Sequence, residues 1–362
     1  MTAADTLVEW SECIRNASST SGRVEIVGGK SKKGYGHAVK NADYVIETSA
    51  FSGMVDYDPD ELVLTARAGT PLADVEAEVQ AAGQMLSFEP PYFGGQPTLG
   101  GCVATGLSGP RRPYSGAVRD SVLGVRMIDG QGRQLRFGGQ VVKNVAGFDV
   151  ARFMTGSLGT LGLLTEVSLK LVPRPGNETT IALGLTAVDA LKCFSLWRRS
   201  QLPLSASTYC NGHLYLRLSG GEALIRRSAE QLGGEVVANS VQFWQAVRDH
   251  QHAFFAPRPE SALIRLSVRA DATLLSEPSD TLIEWGGALR WVWADASDIE
   301  SLRTWARLHG GHASLFNASD AMMQTYGAFA PLPGPHLALL HRIKAVFDPA
   351  KIFNPGRMYS TL

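Results

Sequence analysis

Three glycine-rich segments in the first half of the chain restrict its fold more than any other feature. They cover residues 28–34, 98–109 and 156–162. Glycine has no Cβ, so such segments let the backbone turn sharply and bring its N–H groups close to a bound anion. Each segment alone is more typical of a plain turn. The three together favour a binding site for an anionic ligand such as a dinucleotide.

Two familiar phosphate-binding loops are excluded. A P-loop needs G-x-x-x-x-G-K-[ST], and Gly29-Lys30-Ser31 supplies only its end, because the first glycine is replaced by Val24. A Rossmann site needs G-x-G-x-x-G at the start of a helix, and the chain has no such string. Any dinucleotide is therefore bound by another fold.

The length, charge balance and cysteine content of the chain exclude several further classes of protein. A length of 362 residues predicts two domains, or one large domain with a cap. The 34 basic residues balance the 34 acidic ones, so net charge does not imply a nucleic-acid partner. The four cysteines form no C-x-x-C pair, so we expect no iron–sulfur cluster or structural zinc within the chain. Scattered thiols are typical of a reducing compartment.

No targeting or membrane segment is predicted. The first ten residues have neither a basic region nor an apolar run, which argues against a signal peptide. No uninterrupted run of about 18 apolar residues occurs, so we expect no transmembrane helix. The cytoplasm is the expected compartment, with attachment to the inner membrane through partner subunits as the alternative.

In the first half, residue patterns predict helices and strands around one long loop. A helix is expected over 7–17, and another opens at Pro71 with four apolar residues on one face (Leu72, Val75, Val79 and Ala82). Residues 87–116 are rich in Gly, Pro, Ser and Thr and are predicted to be mostly loop. The expected strands are 24–27, 44–47, 62–66, a hairpin of 122–128 with 134–137, and a strand within 162–172.

The proline-rich residues 173–175 mark the predicted domain boundary. Beyond them we expect strands at 180–185, 214–218, 263–268 and 289–294, with helices that include 299–309 and 337–346. This is an α+β pattern. Trp291 and Trp293 share one face of a predicted strand, which fits a core or an exposed contact with another subunit equally well.

Four groups of residues resemble the FAD-binding domain of the p-cresol methylhydroxylase and vanillyl-alcohol oxidase superfamily. They are Gly-Thr-Pro-Leu at 69–72, residues 98–105, residues 143–149 with 156–166, and the closing Phe-Asp-Pro and Asn-Pro-Gly-Arg within 347–357. They stand in the family's order. The resemblance implies an FAD-binding domain of two subdomains at 1–175, an α+β cap domain at 176–335, and a C-terminal segment at 336–362 that returns to the FAD domain.

Two further stretches narrow the resemblance to the smaller flavin subunits of glycolate oxidase. They are residues 109–116 and Phe137-Gly138-Gly139 ahead of Lys143. The resemblance implies oxidation of glycolate, a 2-hydroxy acid, to glyoxylate, with FAD as hydride acceptor or electron relay. It also implies a larger flavin subunit and an iron–sulfur subunit as partners. Two alternatives stay open: a self-sufficient FAD-dependent 2-hydroxyacid dehydrogenase, and a scaffold subunit with a vestigial FAD site.

The resemblance also implies which residues hold FAD, mainly through backbone amides. The first loop would lie against the pyrophosphate, the second segment would wrap the phosphate and ribityl region, and the third would touch the flavin or adenine side. The predicted cofactor-binding residues are Gly28, Gly29, Lys30, Ser31 and Lys32; Thr98, Leu99, Gly100, Gly101, Ala104 and Thr105; and Gly159, Thr160, Gly162, Leu163 and Leu164.

The first loop departs from the family's usual Gly-x-Gly-Thr, because Lys30 replaces the second glycine. Either Lys30 or Lys32 would neutralise phosphate charge, or both are simply solvated. Some relatives attach FAD covalently through a histidine in this loop. Here the nearest histidine, His37, lies six residues past Ser31 and is expected to be a surface or structural residue, so non-covalent FAD is predicted.

The catalytic residues stay unassigned. Relatives that oxidise D-2-hydroxy acids carry a histidine-rich metal and substrate cluster in the cap, and this chain has no such string. It offers His309 and His312, which would form either a metal pair or, as we favour, structural positions; His336 and His341 follow. No metal site is predicted. Arg111 and Arg112 are candidates for holding a substrate carboxylate, and no general base is identified.

Overall fold

The structure is a computed structural model that describes residues 2–139, 149–197, 200–276 and 280–362. The chain divides into two compact units. The first comprises Met1–Leu107, Ala117–Pro173 and Pro331–Leu362, and the second comprises Ser108–Gly116 and Arg174–Ala330. Apart from Asp149, the motif predicted at 143–149 lies outside the described residues.

The described part of the first unit contains a five-stranded antiparallel sheet and two smaller strand pairs. One small pair is parallel, Val24–Val27 with Tyr44–Glu47, and the other is Gln84–Met85 with Val172–Pro173. The predicted strands at 24–27 and 44–47 and the hairpin are thereby confirmed. In spatial order the large sheet consists of Met54–Asp58, Val63–Arg67, Leu163–Lys170, Val122–Ile128 and Gln134–Gly138.

Helices pack on the large sheet and on the parallel strand pair. The N-terminal helix starts at a capping box in which Thr2 and Asp5 bond each other's backbone amides. It is longer than the predicted 7–17, because the capping box at Thr2 starts it at Ala3 and it runs on to Thr20; Ile14 and Ala17 are among its buried residues. The helices of the first unit are Ala3–Thr20, Leu72–Ala81, Leu99–Thr105, Val118–Ser121, Val150–Phe153 and Gly334–Phe347.

One of these helices corrects the prediction of a long loop at 87–116. Residues Leu99–Thr105 are helical, and the Thr98 hydroxyl caps them by accepting a hydrogen bond from the Gly101 amide at 3.2 Å. The two glycines in its first turn hid this helix from a composition-based prediction. Gly100 is needed there because a Cβ would lie 2.7 Å from the Cβ of Ala68.

A smaller correction concerns the helix that follows Pro71. Its predicted face is buried at Leu72, Val75 and Val79, as expected. Ala82 is exposed, however, because the helix ends at Ala81 and the chain then turns through Gly83, whose φ is +71°. The 3.6-residue period therefore no longer places Ala82 against the core.

The described residues of the second unit form an eight-stranded antiparallel sheet. The predicted strands near 180, 214, 263 and 289 are all present, and the α+β class is confirmed. The spatial order is Glu235–Val236, Asn177–Gly184, His213–Gly220, Leu204–Cys210, Thr281–Glu284, Leu289–Ala294, Ala262–Ser267 and His312–Asn317.

Helices pack on this second sheet. Apolar residues of the sheet and of Ile299–Leu308 form one continuous buried cluster that includes Ile264, Val292 and Leu302. The α-helices are Arg112–Ser115, Ala187–Trp197, Glu222–Leu232, Ser240–Arg248, Ile299–Leu308 and Asp320–Tyr326, and the short 3-10 helices are Ala253–Phe255, Trp285–Gly287 and Ala296–Asp298.

Trp291 and Trp293 belong to the interior of the second unit. Their side chains are buried, and their indole N–H groups donate to Glu284 Oε2 at 2.8 Å and to the Phe254 carbonyl at 2.7 Å. The interpretation of these tryptophans as an exposed contact is therefore wrong, because both polar ends already have internal partners. Among the helices that the structure describes, none is long and apolar enough to cross a membrane.

Candidate functional site

The three glycine-rich segments meet in one cleft of the first unit. The space in this cleft, counted out to its open mouth, is about 1060 Å³. Most of the predicted cofactor-binding residues line it: Gly28, Gly29, Lys30, Ser31, Lys32, Thr98, Gly100, Gly101, Ala104, Thr105, Gly159, Gly162 and Leu164.

Leu99, Thr160 and Leu163 do not line the cleft. Their side chains are buried in the first unit. Leu99 belongs to the main apolar cluster, and the Thr160 hydroxyl donates to the Ser157 carbonyl at 2.7 Å. These three positions therefore support the cleft walls from behind.

Further lining residues were missed at the sequence level. They come from the first two strands, from the neighbours of the glycine segments and from the C-terminal motif: Glu25, Ile26, Val27, Lys33, Val45, Glu47, Thr48, Ala68, Pro97, Leu158, Asn354 and Arg357. The closing Asn-Pro-Gly-Arg motif was the available signal for the last two.

Packing between loops explains two glycines of the first loop. A Cβ on Gly29 would lie 1.6 Å from the Gln96 carbonyl oxygen, and one on Gly28 would lie 2.4 Å from Thr98 Oγ1. Any side chain at either position would push the first loop away from residues 96–98. The glycines are therefore required for two walls of the cleft to touch.

Some backbone amides around the cleft already donate hydrogen bonds within the protein, and others do not. At the start of the Leu99–Thr105 helix, the amides of Leu99, Gly100 and Gly101 donate to Thr70 O, Ala68 O and Thr98 Oγ1. By contrast, the amides of residues 28–31 have no acceptor within the described chain. A run of backbone amides without such acceptors fits an anionic group such as a pyrophosphate. Backbone contact with phosphate is therefore expected at the first loop.

The charges around the cleft favour an anion. Four cations line it (Lys30, Lys32, Lys33 and Arg357), against two carboxylates, Glu25 and Glu47. Lys30 Nζ lies 2.8 Å from Glu47 Oε1, both side chains are more than half exposed, and this bond raises the pKa of Lys30. Lys30 is therefore engaged at the surface.

Lys32 differs from Lys30 because its side chain is buried against the cleft. Its Nζ lies 3.3 Å from Ser31 Oγ and 5.6 Å from the centre of the Phe93 ring. The Arg357 guanidinium donates to the Lys32 carbonyl at 3.2 Å, and burial lowers its pKa. Two partly desolvated cations thus stand together at the first loop, where an anion would interact with them strongly.

Two of the candidate histidines make hydrogen bonds within the protein. His309 Nδ1 lies 2.8 Å from the Trp305 carbonyl and its Nε2 lies 3.0 Å from Thr273 Oγ1, so both ring nitrogens are engaged. These bonds favour the structural interpretation of His309 over a metal ligand. The His37 amide donates to the Arg357 carbonyl at 2.9 Å, and His37 is not among the cleft residues. Within the described ranges no three His, Cys, Asp or Glu residues cluster as a metal site.

The two candidate arginines for a substrate carboxylate also have internal contacts, all within the second unit. Arg111 is buried and forms an ion pair with Glu178. The Arg112 guanidinium lies 4.4 Å from the centre of the Trp285 ring. Arg111 therefore already neutralises a protein carboxylate, and the structure does not support it as the cation for substrate.

Comparison with known proteins agrees with this site. Residues 2–138 match the family described as "FAD binding domain", and residues 333–358 match "FAD linked oxidases, C-terminal domain". These are the ranges that supply most of the cleft. The chain therefore carries an FAD-binding domain, and FAD is its cofactor.

The similar proteins include subunits of glycolate oxidase. The chain is 45% identical over 351 residues to glycolate oxidase subunit GlcE of Escherichia coli (strain K12), covering 97% of each chain. It is 24% identical to glycolate oxidase subunit GlcD of Bacillus subtilis (strain 168), covering 85% of this chain and 77% of that one.

Solved structures show the same fold at low sequence identity. p-Cresol methylhydroxylase with substrate bound aligns at 13% identity with a TM-score of 0.70, covering 97% of this chain and 87% of the other. Alkyldihydroxyacetonephosphate synthase aligns at 14% identity with a TM-score of 0.64, covering 95% and 74%. With the close match to GlcE, the chain belongs to the GlcE family of glycolate oxidase subunits, and it shares the fold of p-cresol methylhydroxylase.

Proposed function

We propose that this chain is the FAD-binding subunit of a complex that oxidises glycolate to glyoxylate. The observation that carries the proposal is the 45% identity to GlcE along 97% of both chains. The cleft supports it, because the first loop offers amides that have no acceptor among the residues that the structure describes, together with two partly desolvated cations. FAD binds there without a covalent bond, since His37 is not part of the cleft lining.

The residues divide the work of holding FAD. The amides of residues 28–31 and the Lys32 ammonium would hold the pyrophosphate, and Arg357 would add positive charge in the same cleft. Leu158, Gly162 and Leu164 give the cleft an apolar wall. Bound FAD supplies a two-electron acceptor for the CH–OH group of a 2-hydroxy acid. The protein's own contribution is to bind and orient the cofactor.

The partners that we propose are a larger flavin subunit and an iron–sulfur subunit. The four cysteines are free and lie singly, so this chain builds no cluster of its own to pass electrons onward. The candidate substrate cation, Arg111, is engaged by Glu178. Substrate oxidation by the complex therefore draws on residues of another subunit.

The test is the absorption spectrum of the purified chain before and after anaerobic glycolate. We expect a yellow chain whose colour moves to the supernatant on acid precipitation, and which bleaches with glycolate only when the partner subunits are present. Flavin that stays on the precipitate would overturn the non-covalent assignment.

Two other outcomes point to the alternative functions. Turnover of the isolated chain with an artificial dye, at a rate comparable to the complex, would show a self-sufficient 2-hydroxyacid dehydrogenase. A colourless chain that binds no added FAD would show a scaffold with a vestigial site.

A further inference from the structure

Lys344 and Asp348 form a buried ion pair next to the cleft without lining it. Both side chains are fully buried, and Nζ lies 2.7 Å from Oδ2. Lys344 Nζ also donates to the Thr160 carbonyl at 2.6 Å and to the Phe353 carbonyl at 3.1 Å. All three ammonium protons are thereby used, and none remains for a ligand.

The carboxylate of Asp348 has backbone partners as well. It accepts from the Ile352 amide at 3.1 Å and the Phe353 amide at 2.9 Å. A Cβ on Gly130 would lie 2.5 Å from Asp348 Oδ1, and the Gly130 amide donates to the Phe347 carbonyl at 2.7 Å. The pair is therefore wedged against the turn of the hairpin as well.

Two of the segments that the pair ties together carry part of the cleft. Thr160 lies in the third glycine segment, whose Gly159 and Gly162 are lining residues. Phe353 directly precedes Asn354, and we call residues 348–357 the C-terminal strap. The strap contributes Asn354 and Arg357 to the cleft. The pair thus joins two cleft walls from behind.

A buried ion pair that joins two segments loses the hydration free energy of both charges, a loss that apolar packing does not involve. Replacing a buried ion pair with apolar residues of similar size often leaves stability unchanged or raises it, whereas removing one partner is strongly destabilising. Folding alone therefore does not require this pair. Its directional bonds to two carbonyls and two amides instead fix where the turn and the strap lie.

We propose that Lys344 and Asp348 are positioning residues for FAD, which hold the third glycine segment and the C-terminal strap in the flavin-binding arrangement. The inference rests on the proposed function in one respect, that the cleft holds FAD. It goes further by assigning a cofactor role to two residues that do not line the cleft.

The test measures FAD affinity and apo-protein stability separately in the full chain. The variants are Lys344→Met, Asp348→Asn and the double variant Lys344→Met with Asp348→Leu. FAD binding is followed by flavin fluorescence, and stability by thermal unfolding. In metal sites, loss of a supporting residue weakens ligand binding by about 10- to 100-fold, and we expect a loss of FAD affinity of that order. The double variant should keep its thermal stability and still bind FAD weakly.

Arg303 offers a matched control in the second unit. It too is a buried cation, and it donates to the carbonyls of Tyr326, Gly327 and Phe329. Arg303→Met should lower thermal stability without changing FAD affinity. The comparison separates a general loss of stability from a specific loss of cofactor positioning.

The possible results are distinguishable. Wild-type FAD affinity in a folded double variant would overturn the positioning role, as would an equal loss of affinity in Arg303→Met. A wild-type chain that binds no FAD would refute the proposed function as well. If the single variants do not fold, Gly130→Ala provides a second route, because it displaces the Asp348 carboxylate without removing a charge. It should also weaken FAD binding, and unchanged affinity would count against the proposal.

Discussion

The side-chain oxygen of Asn354 accepts a hydrogen bond from the backbone amide of Ile26 at 2.9 Å. The same side chain donates from Nδ2 to the Leu158 carbonyl at 2.8 Å. One buried amide group near the C-terminus thereby joins the first strand to the third glycine segment. Both joined residues line the cleft, so the C-terminal motif belongs to the cofactor site.

Exchanging this amide for a carboxylate should damage the cleft. In Asn354→Asp the bond from Ile26 survives, but an acceptor faces the Leu158 carbonyl and a buried charge is added. We expect a loss of about 1–3 kcal/mol in the free energy of unfolding, the cost of an unsatisfied buried group, with weaker FAD binding. Denaturant unfolding and flavin titration measure both. Asn211→Asp, at an exposed position, is the control, and equal behaviour of the two variants would contradict the assignment.

The two lysines of the first loop should differ in their effect on FAD. Lys32→Met removes a partly desolvated cation and should weaken FAD binding by about tenfold or more, the scale of a hydrogen bond to a charged group. Lys30→Met removes a cation that is exposed and paired with Glu47, so its effect should be small.

Flavin titration at several salt concentrations gives the readout for this pair. The dependence of FAD affinity on salt should decrease in Lys32→Met, because one ionic contact with the cofactor is lost. A larger effect of Lys30→Met on affinity or on salt dependence would reverse the assignment of the two lysines.

Local patterns predicted much of the fold. Alternating or continuous apolar residues indicated the strands at 24–27, 122–128 and 289–294, and each is present. The strand Leu204–Cys210 was missed, because its sequence holds several small polar residues. Ser205 and Ser207 are nevertheless buried, since their hydroxyls bond to Arg217 and to the Gly286 amide. Partners that are distant in sequence make such residues acceptable in a core, and hydrophobic periodicity does not reveal them.

In the candidate site too, short sequence segments predicted some features, whereas contacts between residues far apart in the sequence were not predicted. Glycine composition and family resemblance indicated the segments that form most of the cleft. They did not show that Asn354 reaches the first strand, a contact across 328 positions of the sequence. Nor did they separate Lys30 from Lys32, because the difference lies in Glu47, which stands on the neighbouring strand.

Gly101 tests whether the second glycine segment faces the cofactor. A Cβ there would have Thr98 Oγ1, at 3.1 Å, as its only neighbour within 4 Å among the described residues. Gly101→Ala should therefore fold and keep most of its FAD. Gly101→Asp should fold but lose FAD, because its carboxylate would repel a phosphate in the same cleft. The flavin-to-protein absorbance ratio of the two purified variants is the measurement. Full flavin occupancy in soluble Gly101→Asp would remove this segment from the phosphate site.

A partly buried histidine predicts how stability depends on pH. The His250 ring stacks on Phe255 with centroids 3.9 Å apart and faces the edge of Trp291. Burial, assisted by the nearby Arg265, lowers the pKa of His250 to about 3. In the unfolded chain the same imidazole has a pKa of about 6.5. Between these values the unfolded state binds the proton and the folded state does not.

The contribution of His250 to the free energy of unfolding should therefore be constant above about pH 6.5 and decrease as the pH falls toward 3. The expected slope is about 1.4 kcal/mol per pH unit within that window. His250→Gln removes the titration and should flatten this part of the profile, although loss of the ring stack lowers its stability at every pH. Denaturant unfolding at intervals between pH 8 and pH 4 measures this slope, which a loss of stability that is equal at every pH does not change. An unchanged slope in His250→Gln would show that other groups carry the acid sensitivity of the chain.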